Sequence, residues 1–288
     1  MPKNNTYLWE IQWQKHLLLL LFLCLLLPIT HASAQPDETT IYTKENPLVY
    51  EDAEDLWPYS FLNDERQPEG FNIDLVEKLL KELNIPYVVR LKPAQEAFDD
   101  LKTGKADLTL GLAASFHDAY GHYGRHTITL FTQSVVTPKK NRIEIKTFRD
   151  LGKNGLKVMV NDSSLCHHLM LDYGWGDNVV ISRDMKKSIQ QVSVDEKDQI
   201  VWNTLSLKWL IKHYHLDNLE LTSVNMPHGE YKFMSNDLHL LDLLDKAYAD
   251  LHIKDEIQPI ENKWLYPEHQ EKKTPDWQWV LIAIASHS

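Results

Sequence analysis

Three stretches of the sequence carry side chains that could bind or react. Cys166-His167-His168 offers a thiol and two imidazoles, His117, His122 and His126 recur along one polar segment, and Asn161-Asp162-Ser163-Ser164 sets short polar side chains before an apolar run. Neither histidine group is assigned a metal. Adjacent residues on a helix point apart, zinc sites need spaced ligands, and His117 to His126 lie on a segment broken by Gly121 and Gly124, where no common facing is imposed. A copper or zinc ion on that segment is the weaker alternative. Ser163 and Ser164 read as the cap of a helix, whose free N–H groups and positive dipole end can hold an anion; an ordinary N-cap is the competing reading. No Ser-His-Asp or paired-carboxylate spacing supports turnover, so no catalytic residue and no cofactor are assigned.

The elements that must position such groups are clearest from Trp57 to Leu110. Asn63 to Gly70 has turn composition, and Ile73, Leu75, Val76, Leu79, Leu80 and Leu83 then recur at helical spacing until Asn84-Ile85-Pro86 ends the helix. Tyr87 to Leu91 reads as a strand, Ala94 to Lys102 as an amphipathic helix closed by Gly104, and Ala106 to Leu112 as a buried strand. The polar loop AASFHDAYGHYGR follows that strand, at the carboxyl edge of the sheet where ligands bind in open α/β folds.

This order, with LKTGKADL before an apolar strand, resembles the extracellular solute-binding proteins of family 3, from about Pro47 to Tyr266. The stretches GLAASFHDAYGHYGRH, NDSSLCHHLMLDYGWG and QIVWNTLSLKWL are similar to the periplasmic sensor region of Bacteroides-type membrane histidine kinases. The resemblance implies an α/β, two-lobed periplasmic-binding-protein type 2 fold, each lobe a mixed sheet flanked by helices, with two crossover strands. Lobe 1 is expected at 47–133 plus 235–266 and lobe 2 at 134–234. Leu130 to Pro138 is read as one crossing strand and Glu230 to Ser235 as the other.

The same resemblance implies a cleft in which Tyr59, Ser115, Arg125, Ser163, Ser164 and Asn203 converge on ligand. Tyr59 stands at the family's aromatic position after a proline. Counting from Asp107, Ala119 falls where amino-acid binders carry a carboxylate-clamping arginine, and Gly111 and Ala114 fall where they carry serine or threonine. Arg125 is a substitute from a shifted loop or, equally, a surface ion-pair residue. Asn203 replaces the aspartate that meets the ligand ammonium. A small polar or anionic solute is therefore expected in preference to a standard amino acid, whose charged ends would face neutral groups. Trp202 and Trp209 are candidate stacking aromatics, with packing the stronger reading for Trp209, which lies at helical spacing from Leu205.

Composition bounds the partners. A formal charge of −11 without a basic run argues against nucleic acid, and a hydrophobic content of 43% fits a globular chain. Residues 1–34 read as a signal peptide, with Lys15 and His16, an apolar run from Leu17 to Leu27, and Ala32-Ser33-Ala34 for cleavage; an uncleaved anchor is the alternative. Only Cys166 remains in the mature chain, which rules out an internal disulfide. Residues 267–288 read as a linker and the start of a truncated membrane helix, with Trp277 and Trp279 at the interface before an apolar run to Ala285.

Three functions compete on these grounds: a periplasmic sensor coupled to a membrane-linked histidine kinase, a free binding component of an ABC-type transporter, and an enzyme on the same scaffold. The tail favours the sensor, partnered by a small-molecule ligand, a kinase or transporter membrane module, and a second copy of the chain if signalling uses a homodimer. No phosphoacceptor or nucleotide-binding region is recognised, so the chain is not expected to be an enzyme. Exported protein is predicted to begin near Gln35, and amino-terminal sequencing checks this; an intact Met1 contradicts it.

Overall fold

The computed structural model describes residues 42–114, 117–141, 145, 147, 150–151, 157–162, 164–174, 176–195 and 198–266. The expected signal peptide and carboxyl-terminal segment lie outside them, as do Ser115 and Ser163. Among the described residues no helix is long and apolar enough to cross a membrane.

The chain begins with β1 (Leu48–Ala53), followed by a small antiparallel sheet of β2 (Asp55–Leu56), β3 (Ser60–Leu62) and β4 (Pro68–Glu69). Helix α1 (Phe71–Glu82) then starts in a confined corner. Phe71 N and Asn72 N donate to the carbonyls of Pro58 and Tyr59 at 2.9 and 2.7 Å. Gly70 permits this with φ 132°, where a Cβ would lie 2.4 Å from the Tyr59 carbonyl oxygen. Leu75, Val76, Leu79 and Leu80 are fully buried along one face of α1, as their spacing requires.

Next come β5 (Tyr87–Lys92), parallel to β1, then α2 (Ala94–Thr103), closed by Gly104 in the left-handed conformation, and β6 (Thr109–Leu112). A parallel bridge between Tyr50 and Leu108 joins β1 to the segment leading into β6. Two short strands follow, β7 (His122–Tyr123) and β8 (Thr129–Phe131). These and β6 all pair antiparallel with β14 (Gly229–Ser235). The core of this first lobe is completed by α6 (Leu238–Ile253) and by α7 (Gln258–Trp264). Asp74 of α1 anchors α7 by accepting from Lys263 Nζ and Trp264 Nε1, both at 2.7 Å.

The second lobe is built on one five-stranded mixed sheet of β9 (Gln133–Pro138), β10 (Val158–Asn161), β11 (Val179–Ser182), β12 (Gln199–Asn203) and β13 (Leu219–Ser223), in the order β11-β10-β12-β9-β13. Its strands alternate between two cores. Val135 and Val201 pack with Cys166 and Met170 of α3 (Leu165–Asp172) on one face. Val136, Ile200 and Trp202 pack on the other with α4 (Met185–Asp195) and α5 (Thr204–His213). Burial on both faces explains why these strands read as apolar runs instead of alternating ones.

The sheet pairings refine the expected crossings. Leu130 to Pro138 is not one strand: β8 belongs to the first lobe, β9 to the second, and Thr132 between them turns its carbonyl to Thr204 N at 2.9 Å. The return is earlier than Met234, because β14 pairs with first-lobe strands from Gly229 onward and buries Tyr231 and Phe233 in that core. Beside these connections the lobes meet through an aromatic stack. Trp209 of α5 lies against Trp57 at 6.0 Å and 15°, against Phe61 at 5.6 Å, and against His213 at 4.4 Å. Trp209→Ala is predicted to cost about 2–3 kcal/mol in urea unfolding, as a partly buried large-to-small change. A loss below about 0.5 kcal/mol, the level of an ordinary surface substitution, would show that the stack does not hold the lobes.

Candidate functional site

Between the lobes lies a cavity of about 600 Å³. From the first lobe it is lined by the end of β1 and the start of β2 (Asp52 to Leu56), the start of α2 (Pro93 to Phe98), β6, His117, Phe131 and Tyr231. From the second it is lined by Gln133, the ends of β10 and β12, Ser164 and Leu165 of the α3 start, and Arg183. The carboxyl ends of β1, β6, β10 and β12 therefore converge on it, as open α/β sheets arrange their ligand sites.

Of the residues expected to converge, Ser164 and Asn203 line the cavity. Ser164 caps α3 by accepting from His167 N at 3.2 Å. Asn203 is 3% exposed and caps α5: its Oδ1 accepts from Ser206 N at 2.9 Å and Ser206 Oγ at 3.1 Å. Tyr59 is outside the lining. It is buried in the first core against Phe131 at 4.6 Å, and burial pushes its phenol pKa up. Arg125 is also outside the lining: it is 71% exposed, with Nη2 3.0 Å from Asp242 and Nε 3.6 Å from Asp245. The reason is local. Asp245, 2% exposed, accepts from Arg125 N at 2.7 Å and His126 N at 3.2 Å and so turns the loop toward α6.

The three loop histidines do not gather. His117 lines the cavity, His122 is in β7, and His126 lies by the ring of Tyr248 at 5.8 Å. Burial holds His117 down at about 4, so it is neutral at pH 7, with Nδ1 3.0 Å from the Leu112 carbonyl. Cys166 is fully buried, its thiol pKa pushed up by burial, and donates to Gln133 Oε1 at 3.3 Å. Trp202 lines the cavity, whereas Trp209 belongs to the interlobe stack.

The sequence reading missed the acids. Asp52, Glu54, Asp55, Glu96 and Asp162 line the cavity, against Arg183 as the single lining arginine or lysine among the described residues. Asp52 is the most deeply set, 3% exposed. Its carboxylate accepts from the Tyr50 hydroxyl, from Asn72 Nδ2 at 2.7 Å and from Ala53 N at 2.7 Å, while burial raises its pKa. Asn72 Nδ2 also donates to the Tyr231 hydroxyl at 3.0 Å, which locks β1, α1 and β14 together beneath the cavity. Asp55 is pushed up to about 6, first by burial and then by the charges of Glu54 and Asp184. The signal for this group was present: EDAED ends the first strand, at the sheet edge that faces ligand.

A two-lobed mixed α/β fold with a cavity between its lobes defines the clamp class of solute binders. The chain belongs to the bacterial extracellular solute-binding proteins, family 3, matched over residues 49–267. Its fold is similar to that of a histidine kinase sensor domain with similarity to periplasmic binding proteins, at TM-score 0.70 and 20% identity, covering 76% of this chain and 96% of that one. An ABC uptake transporter substrate-binding protein from Streptococcus pneumoniae with bound histidine matches at TM-score 0.69 and 15% identity, over 77% and 93% of the two chains. An ancestral arginine-binding protein bound to glutamine matches at 0.68 and 18%, over 76% and 98%. No curated protein sequence matches the chain.

Asp55 generates a stability prediction whose sign is opposite to the usual carboxylate case. Its folded-state pKa of about 6 exceeds the ordinary 3.8, so the folded protein binds the proton more tightly, and stability is lost as pH rises from about 4 to about 6. Asp55→Asn should therefore stabilise the chain by about 1–2 kcal/mol at pH 7.5, after discounting for solvent contact, and by nothing near pH 3.5. Thermal unfolding across pH checks this, and an equal shift at both pH values would contradict it.

Proposed function

We propose that this chain is a periplasmic sensor domain that binds a small polar solute between its lobes and passes lobe closure to a membrane-linked histidine kinase. The observation that carries the reading is the interlobe cavity, lined from both lobes across two chain crossings, on a family fold shared with a histidine kinase sensor domain. Solute that touches both lobes favours the closed arrangement by its difference in affinity for closed and open states, and only that difference can drive a signal. The role is binding without turnover. The anionic part of the sequence expectation is withdrawn, because the lining carboxylates outnumber its guanidinium.

The second reading, a carrier for a transporter, shares the clamp and differs in its output. Its support is the equally close fold of a transporter binding protein. The aromatic and apolar segment Trp277 to Ala285 favours the sensor, since a diffusing carrier has no use for an interfacial anchor after its last helix. The two separate in cells. Deleting the gene is expected to abolish the transcriptional response to the solute and leave its uptake rate unchanged. Lost uptake with an intact response would make the chain a carrier. In vitro, small-angle scattering of the mature chain with pooled small metabolites should show a smaller radius of gyration with the binding pool, and no change with any pool would overturn the clamp reading.

A further inference from the structure

We propose that the cavity takes a small organic cation without a carboxylate, an amine or guanidine that also carries one uncharged hydrogen-bond acceptor; this rests on the reading of the cleft as a solute site. The charge pattern comes first. Asp52 is buried at the cavity floor, and its bonded partners are all neutral: a phenol, a carboxamide and a backbone N–H. Glu54 and Asp55 follow it on the same wall, with the charge of Asp184 close to Asp55 across the cleft. The guanidinium in the lining does not neutralise them. Arg183 is 86% exposed at the rim, and its Nε bonds Asp162 Oδ2 at 3.1 Å. An anion entering this space would meet uncompensated negative charge at short range, whereas an ammonium or guanidinium would supply the missing counter-charge.

Two further features shape the solute. Phe98, Phe131 and Trp202 add aromatic surface to the cavity lining, the kind of surface that favours a cation over an anion. Gln133, independent of the acids, stands at the crossing between lobes and is 6% exposed. Its Oε1 is occupied by the Cys166 thiol, and among the described residues its Nε2 has no hydrogen-bond partner. That donor opens into the cavity, where water or a solute acceptor meets it, so the solute brings a neutral oxygen, such as a carboxamide or hydroxyl, to that point. The charge thus sits toward Asp55 and the acceptor toward Gln133, and the solute spans from one lobe to the other.

The test compares pairs that differ only at the carboxyl group: argininamide against arginine and lysinamide against lysine, with succinate and glutamate as anions, by calorimetric titration of the mature chain at low salt. The amides are expected to bind about tenfold or more tightly than their parent acids, and succinate not to bind. Asp55→Asn should weaken argininamide about tenfold while melting no lower than the wild type, which separates lost recognition from lost folding. Gln133→Leu, close in volume, should weaken the amides and leave putrescine, which lacks the acceptor, unchanged. Arginine binding more tightly than its amide, or a preference for succinate or glutamate, overturns the cation assignment and leaves the clamp standing. Metabolite pools that never compact the chain overturn the clamp itself, so the two failures are told apart.

Discussion

The structure depends on a change of hydrogen-bonding partner over a very short length of chain. Phe131 is paired in the first sheet and Gln133 in the second, so Thr132 alone spans the exchange. Thr132 itself is exposed, so backbone groups that lie outside both sheets there can reach water. Here the Thr132 carbonyl is met by Thr204 N at the start of α5. Because the chain crosses there and returns before Gly229, the carboxyl edges of both sheets are brought opposite each other. The cavity is a consequence of that exchange.

Around it the lobes are held by aromatic packing. The Trp57, Phe61 and Trp209 stack is apolar and tolerant of small slides, since ring contacts at 5.6–6.0 Å lose little over short displacements. An apolar stack of this kind suits a clamp whose lobes must move. Asn203 is held directionally within the second lobe, its Oδ1 accepting from Ser206 N and Ser206 Oγ at the α5 cap. The cap also explains why Asn203 serves where a charged group is expected for ligand: its amide oxygen is already committed to α5.

Burial at the cavity floor sets the electrostatics. Asp52 is held by three neutral donors, and Asp55 is raised by burial and by neighbouring acids. Such an arrangement costs folding free energy when empty of counter-charge, and protein interiors retain such costs mainly at functional sites. The stable scaffold beneath, with α1 packed through Leu75, Leu79 and Leu80, is what tolerates them.

Sequence alone determined the elements and their order, because period and punctuation are local. The helix at 71–82 follows from apolar spacing and from Pro86 and the helix at 94–103 from amphipathicity and Gly104, while the two-lobed fold was implied by the family resemblance that this order carries. Ser164 was legible as a cap residue for the same reason, whereas Asn203 was read as a cleft residue through the family resemblance. Only tertiary structure decided which polar residues face the cavity. Arg125 was a plausible anion clamp until Asp242 and the buried Asp245 drew its loop outward. Tyr59 was expected in the cleft until Gly70 let α1 close over it and seal it in the core. The acids of EDAED carried no site reading in one dimension and became the dominant charge of the site when the second lobe arrived opposite them. The physical reason is that spacing along the chain fixes which face of an element a side chain occupies, whereas charge balance in a cavity is a sum over residues from Asp52 to Asn203 that only folding brings together.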